Sequence, residues 1–349
     1  MTTNFDEIID RRNTSCLKYD FAAERGYPAN IDPFWVADMD FRAPQPVIDE
    51  IVRRAQHGIF GYTNPKDDYR QTLLDWFRTY HDWTPSSKSL ILTPGVVFAL
   101  CMAVRAFTKP GEAVLIQQPV YYPFTESIRD NGRELVNSPL ILKDGHYTID
   151  FDDFERKIQD HQVRLFLLCS PHNPAGRVWT KAELLQMASI CARHDVLIAA
   201  DEIHHEFIRP GFHHTVLASL SPSIAERVIT CTAPSKTFNL AGLVGSYHIV
   251  YNQYLRDRLI SKAEKTEYNS MNVLSMHALI GAYRPEGYEW VDELCQVIDG
   301  NMEFACNYIR EHFEGVRVSR PQGTYMLFVD FEGWCQKTGK SMDQLIKAG

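Results

Sequence analysis

The sequence predicts an α/β protein: a large domain on a mostly parallel sheet covered by helices, with a smaller α+β domain beside it. Three observations predict it. From about residue 90 to 250, short apolar runs alternate with amphipathic helical stretches. Those runs are nearly continuous rather than alternating, as expected of parallel strands covered on both faces. After about residue 250 long helical patterns take over and lead into one further apolar run. The chain has 349 residues, 45% hydrophobic and 23% charged, which is enough to bury a large core and a smaller one.

In chain order, residues 1–44 carry several turn signals and are expected to pack beside the small domain. Thr93-Pro94-Gly95-Val96-Val97 opens an apolar helix, FALCMAVRAF. AVLIQQP (113–119), RLFLLCSP (164–171), VLIAADE (196–202) and RVITCTAPS (227–235) read as strands. Thr180 with Glu183 three residues on is a capping-box signature, and LLQMASICA supplies the buried stripe of the helix that follows. The chain re-enters a strand at Val196, which completes a βαβ unit. Helical patterns over 253–283 and 289–313 lead to a strand, GTYMLFVDF (323–331), and a last helical piece, SMDQLIKAG. The expected division is a large domain at 45–285 and a small one from 1–44 and 286–349. Because the chain stops at a helix without a closing strand, the C-terminal part of the small domain is expected to be incomplete.

Composition excludes several classes. Net charge is −8, from 36 Lys+Arg against 44 Asp+Glu, without a basic run, which argues against a nucleic-acid partner. No apolar run is long enough to span a membrane, and the start MTTNFDEIIDRR lacks a secretory pattern. Eight scattered cysteines without a C-x-x-C pair fit reduced core residues of a cytoplasmic protein. No metal site is expected. His205-Glu206 begins H-E-x-x-H but ends on Arg209, and no spacing places His204, His213 and His214 on one ion. G-x-G-x-x-G and G-x-x-x-x-G-K are absent. Ser15-x-x-Lys18, Tyr62-x-Asn64 and Lys337-Thr338-Gly339 imitate a penicillin-binding serine site, but neither the helix nor the strand such a site needs surrounds them.

The chemistry concentrates at three strand ends, because ligands of an open parallel sheet sit outside the carboxyl ends of its strands. RLFLLCSP runs into His172-Asn173-Pro174-Ala175-Gly176, VLIAA into Asp201-Glu202-Ile203-His204, and RVITCTAP into Ser235-Lys236-Thr237-Phe238-Asn239. An amide, a carboxylate and an amine thus meet on one rim. Upstream, the helix opened by Gly95 and Val96 offers N–H groups for a phosphate. This set suits pyridoxal 5'-phosphate: the lysine amine condenses with its aldehyde, the carboxylate keeps the ring nitrogen protonated, and the amide donates to the phenolate oxygen. Tyr121, in Pro119-Val120-Tyr121-Tyr122-Pro123, offers a ring to stack on the pyridine. Taken singly, each residue has a plainer role: a solvated lysine, a helix-capping aspartate, an Asn-Pro turn, a core tyrosine.

The N-P-x-G, D-E-x-H and S-K-T-F-N segments, in this order, resemble the fold-type I pyridoxal-phosphate enzymes of the aspartate aminotransferase superfamily. Within it the chain resembles the cystathionine β-lyase or cysteine-S-conjugate β-lyase (C–S lyase) branch. The matching segments are PFWVADMDF (33–41), GYTNP (61–65), TPGVV (93–97), PVYYPF (119–124), SPHNPAGRVW (170–179), DEIHHEF (201–207) and APSKTFNLAGL (233–243). Two departures from the aminotransferases favour the lyase branch: Val244 replaces an arginine eight residues after the lysine, and His204 replaces a tyrosine three after the aspartate. The substrate-carboxylate arginine that the superfamily carries near its C-terminus has no counterpart here.

The resemblance implies Lys236, Asp201 and Tyr121 as catalytic residues. It places Gly95, Val96, Asn173, His204, Thr232 and Ser235 around the cofactor with them. Tyr62 is implied to reach the phosphate of a neighbouring subunit, which requires a homodimer, and Trp35, Asp38 and Met39 to wall the substrate entrance. The implied reaction is α,β-elimination of L-cystathionine, or a related S-substituted L-cysteine, to thiol, pyruvate and ammonia. An aminotransferase passing an amino group to a 2-oxo acid is the nearest alternative. A regulatory binding protein on the same fold is an alternative of another class.

Overall fold

The computed structural model describes residues 3–28, 32–143, 145–267 and 270–347. Its organising element is a seven-stranded sheet: β1 (Leu90–Thr93), β2 (Ala113–Ile116), β3 (Glu134–Asn137), β4 (Leu165–Cys169), β5 (Leu197–Asp201), β6 (Val228–Thr232) and β7 (Ser246–Ile249). The spatial order is β1-β7-β6-β5-β4-β2-β3. β2 to β6 pair in parallel, whereas β7 runs antiparallel between β1 and β6. The mostly parallel sheet read from the continuous apolar runs is therefore present.

The continuity of those runs has a direct structural cause. Leu115, Phe166, Leu168, Ile198 and Ala200 belong to one apolar cluster, while Val114, Leu165, Leu167, Ala199 and Ile229 belong to another. Successive side chains point to opposite faces, and both faces are covered, so every position must be apolar. The helix Val96–Phe107 packs into the second cluster through Ala99, Leu100 and Ala103. The helix Lys181–Arg193 carries Leu184, Met187 and Ile190 into the first. It begins at Thr180, whose hydroxyl accepts the Glu183 N–H while the Glu183 carboxylate accepts the Thr180 N–H, the reciprocal cap read from the sequence.

Two sequence expectations are corrected. The helical pattern at 253–283 is two helices, Gln253–Glu264 and Val273–Ala282. Glu267 has a left-handed φ of 55°, and the Asn272 side chain caps the second helix by accepting the Ser275 N–H, so the chain stops and restarts. GTYMLFVDF is extended for a different purpose: only Val329–Asp330 pairs as a strand, with Arg317–Val318. Upstream, Thr324 at φ 66° breaks the run and donates its N–H to the Phe207 carbonyl. That contact lays the segment beside the loop after β5.

The long helix Pro285–His312 starts before the expected 289 and buries Trp290, Val291 and Leu294 in the first cluster. Phe5 packs edge-on to Phe41 at 5.2 Å and against Trp290 at 5.8 Å, which ties the N-terminal segment down. All eight cysteines are free thiols, with Cys169, Cys191, Cys231 and Cys306 buried. Among the described residues no helix is long and apolar enough to cross a membrane.

Candidate active site

Strand register brings the three functional turns to one level. Cys169 at the end of β4 pairs with Asp201 of β5, and Asp201 pairs with Cys231 of β6. The turns that follow therefore leave the sheet side by side. They surround a cavity of about 210 Å³ lined by Asn173, Asp201, His204, Ser235 and Lys236. Tyr121 follows β2 and closes the same cavity, joined to its neighbour by a backbone bond from Tyr121 N–H to the Asn173 carbonyl, 3.0 Å. Gly95 and Val96 reach it from the start of the helix Val96–Phe107.

Lys236 sits in the short helix Pro234–Thr237 right after β6. Its Nζ donates to the Ala37 carbonyl at 2.8 Å, and the Tyr325 hydroxyl donates to that same carbonyl at 2.9 Å. Burial lowers the Lys236 ammonium below its ordinary range, with Asp38 and Asp201 opposing the shift. Asp201 is pushed up to about 7 by burial, although its carboxylate accepts the Ile203 N–H at 3.1 Å and Lys236 lies near enough to lower it. Desolvation outweighs the two attractions. His204 is driven down to about 3 by burial, then by the Lys236 charge, and its buried Nδ1 has no hydrogen-bond partner. Burial raises the Tyr121 phenol to about 12.

Five of the expected positions lie away from the cavity wall. Thr232 is buried behind it, its hydroxyl 3.4 Å from the Glu202 carbonyl that accepts from it. Tyr62 projects fully into solvent, with Ile59 and Phe60 also exposed nearby. Asp38 pairs with Arg11 at 2.8 Å, and Met39 donates its N–H to the Asn239 side chain at 3.1 Å. Trp35 is half-exposed, with the Arg25 guanidinium 3.9 Å from its ring centroid. The segment holding these last three does reach the site, through the Ala37 carbonyl.

Four contributors escaped the sequence reading. Ala37 acts through its backbone, which carries no residue signature. Tyr325 lies in GTYMLF, read there as a strand, and its ring stands 5.4 Å from that of His204. Cys169 lines the cavity and accepts the Asn173 N–H on its sulfur at 3.3 Å. Gly245 lines it where a Cβ would fall 1.9 Å from Ser275 Oγ, so a larger residue would force that side chain to move.

The chain is similar to known proteins in sequence and in fold. The chain is 38% identical over 346 residues to cystathionine β-lyase PatB of Bacillus subtilis, covering 99% of this chain and 89% of that protein. Among solved structures, cystalysin from Treponema denticola, which contains pyridoxal 5'-phosphate, superposes with a TM-score of 0.91 at 36% identity, over 95% of this chain and 84% of that one. The pyridoxal-phosphate-bound C–S lyase from Staphylococcus hominis gives a TM-score of 0.90 at 31% identity, over 98% and 85%. The sequence profile of aminotransferase class I and II matches residues 36–348, so the chain belongs to that family.

Proposed function

We propose that the protein is a pyridoxal-phosphate-dependent carbon–sulfur β-lyase. It acts on L-cystathionine or a related S-substituted L-cysteine and yields thiol, pyruvate and ammonia. The observation that carries this reading is the convergence of Lys236, Asp201 and Asn173 on one cavity, in a chain whose relatives include a cystathionine β-lyase and C–S lyases.

The cavity fits the cofactor. Asp201 is a buried carboxylate that its surroundings leave half-neutralised, and a protonated ring nitrogen is the partner that would hold it ionised. At Gly95 an added Cβ would meet nothing within 4 Å, which leaves room at a helix start suited to a phosphate.

When bound, pyridoxal phosphate supplies an electron sink for bonds broken at the substrate's Cα and Cβ. The chain's residues do the rest. Lys236 would anchor the cofactor aldehyde, and its Nζ is placed to hold the proton taken from the substrate's Cα. Its lowered basicity makes the neutral amine more available near neutral pH. Asp201 would keep the ring nitrogen protonated. Asn173 would donate to the cofactor's phenolate oxygen, and His204 lines the same cavity. Tyr121 stays protonated and would present its ring to the pyridine face. Ser235, Gly95 and Val96 would hold the phosphate, with Thr232 supporting from behind. Trp35, Asp38 and Met39 border the entrance.

The phosphate site is completed by Tyr62 of a second copy, which makes the working unit a homodimer. The exposed loop carrying Ile59, Phe60 and Tyr62 supports this, since apolar side chains so exposed fit a subunit contact.

The deciding measurement is pyruvate and thiol release from L-cystathionine by the cofactor-loaded protein, with and without a 2-oxo acid. Equal amounts of both, independent of the acceptor, support the lyase. Acceptor-dependent formation of a new amino acid without thiol overturns it in favour of an aminotransferase.

A further inference from the structure

A second cavity, of about 410 Å³, shares no lining residue with the Lys236 cavity. His81, His205 and Glu206 meet on its wall, and one ligating atom of each lies within 4.8 Å of the others. Spacing along the chain argues against a metal at His205-Glu206. Folding changes that argument, because His81 arrives from the last turn of a distant helix, Asp67–His81.

We infer that His81, His205 and Glu206 form a binding site for a divalent transition ion of the zinc class. Glu206 Oε1 lies 2.7 Å from His205 Nε2 and 3.6 Å from His81 Nε2. Tetrahedral coordination with bonds of 2.0–2.1 Å sets neighbouring ligand atoms about 3.3 Å apart, so a slight outward shift of the His205 ring admits an ion. Three further observations point to a ligand.

First, His81 is 9% and His205 1% exposed, yet His81 Nε2 has no hydrogen-bond partner although it is aimed at the Glu206 carboxylate. A buried imidazole nitrogen left unpaired is costly, and an ion at that point satisfies it. Second, the carboxylate is already oriented: Oε1 accepts the Trp76 Nε1–H at 2.9 Å and Oε2 accepts the Thr237 hydroxyl at 2.8 Å. Ligating carboxylates are held by outer hydrogen bonds of this kind. Third, the cavity provides an entry path and space for water as a further ligand.

A rival group, Glu202, His205 and His214, also has its atoms within 4.8 Å. Both Glu202 oxygens are occupied there, by the Leu217 N–H at 3.1 Å and by His214 Nε2 at 3.0 Å, and Glu202 does not reach the cavity. In that group Glu202 and His214 are already hydrogen-bonded to each other, whereas His81 Nε2 has no such partner. Two imidazoles and one carboxylate suit zinc or cobalt and do not suit calcium or magnesium, which take oxygen ligands. Through Thr237 the ion would brace the turn that carries Lys236. Its role is positional.

The test uses the cofactor-loaded, tag-free protein, stripped with a chelator and titrated with cobalt(II) and then zinc. The site predicts one equivalent bound, visible cobalt bands of four- or five-coordinate nitrogen–oxygen ligation, and their loss on zinc addition. His81→Gln should weaken affinity at least tenfold. Cobalt bound only at surface histidines or on the cofactor would be unaffected by that variant and would overturn the site, as would less than a tenth of an equivalent. Anomalous scattering at the zinc edge from soaked wild-type crystals needs no variant. A peak between His81, His205 and Glu206 supports the assignment, and a peak elsewhere or none overturns it. These readouts are of binding, so they stand or fall separately from the lyase reaction.

Discussion

Lys236 and Asp201 shift in opposite senses for one reason: burial disfavours the charged form of each. For Asp201 the consequence is a pH dependence with a definite sign. A carboxyl raised from 3.8 to about 7 on folding adds stability that is fully present below about pH 3.8 and lost as the pH rises through 7. In cofactor-free protein, Asp201→Asn is expected to raise stability at pH 8 by about 2–4 kcal/mol. The gain should vanish towards pH 4. Thermal melts of the two proteins across that range check it. Lys236→Ala is expected to lower kcat for thiol release by ~10³-fold or more, since it removes both the anchor and the base. Stopped-flow turnover assays read that loss. At this scale the amine, carboxylate and amide were legible because each lies at the end of a strand that can be read from its apolar run, or four residues beyond it. The Ala37 carbonyl was not, because any residue supplies one, and Gly245 was not, because its constraint comes from Ser275 across the fold.

Elements were legible where local chemistry and burial agree. The strands at 113–116, 165–169, 197–201 and 228–232 and the Thr180 cap are examples. Thr180→Ala should cost about 1 kcal/mol in urea unfolding and leave cofactor absorbance unchanged, since the cap lies outside the cavity. Legibility failed where tertiary contacts decide. The apolar GTYMLF run has strand composition, yet Thr324 turns it towards Phe207, and it serves the site through Tyr325. The break between 264 and 273 was hidden because helical periodicity continues on both sides of it. β7 illustrates a third kind of failure: its position between β1 and β6 depends on pairing that four residues of composition do not encode.

For the whole molecule, the two apolar clusters enclose the sheet, while the loop with Ile59, Phe60 and Tyr62 remains exposed. If Tyr62 completes the partner's phosphate site, two inactive variants should complement each other. Mixing Tyr62→Ala with Lys236→Ala protein, then unfolding and refolding them together, should restore about a quarter of wild-type activity, since half of randomly formed dimers are hybrids with one intact site. No recovery in co-refolded samples that sediment as dimers would place Tyr62 elsewhere.

The bond from Lys236 Nζ to the Ala37 carbonyl spans 199 positions of chain. A lysine committed to the cofactor aldehyde gives up its ammonium contact with that carbonyl, so loading the cofactor would remove one of the two side-chain donors on Ala37 and leave Tyr325 as the other. The backbone at Ala37 is thereby coupled to occupancy: its contact with the active-site turn loosens when Lys236 is engaged and tightens when it is idle. Amide hydrogen exchange of residues 37–41 should consequently run faster in the loaded enzyme than in the cofactor-free one, the reverse of the protection that ligand binding ordinarily confers.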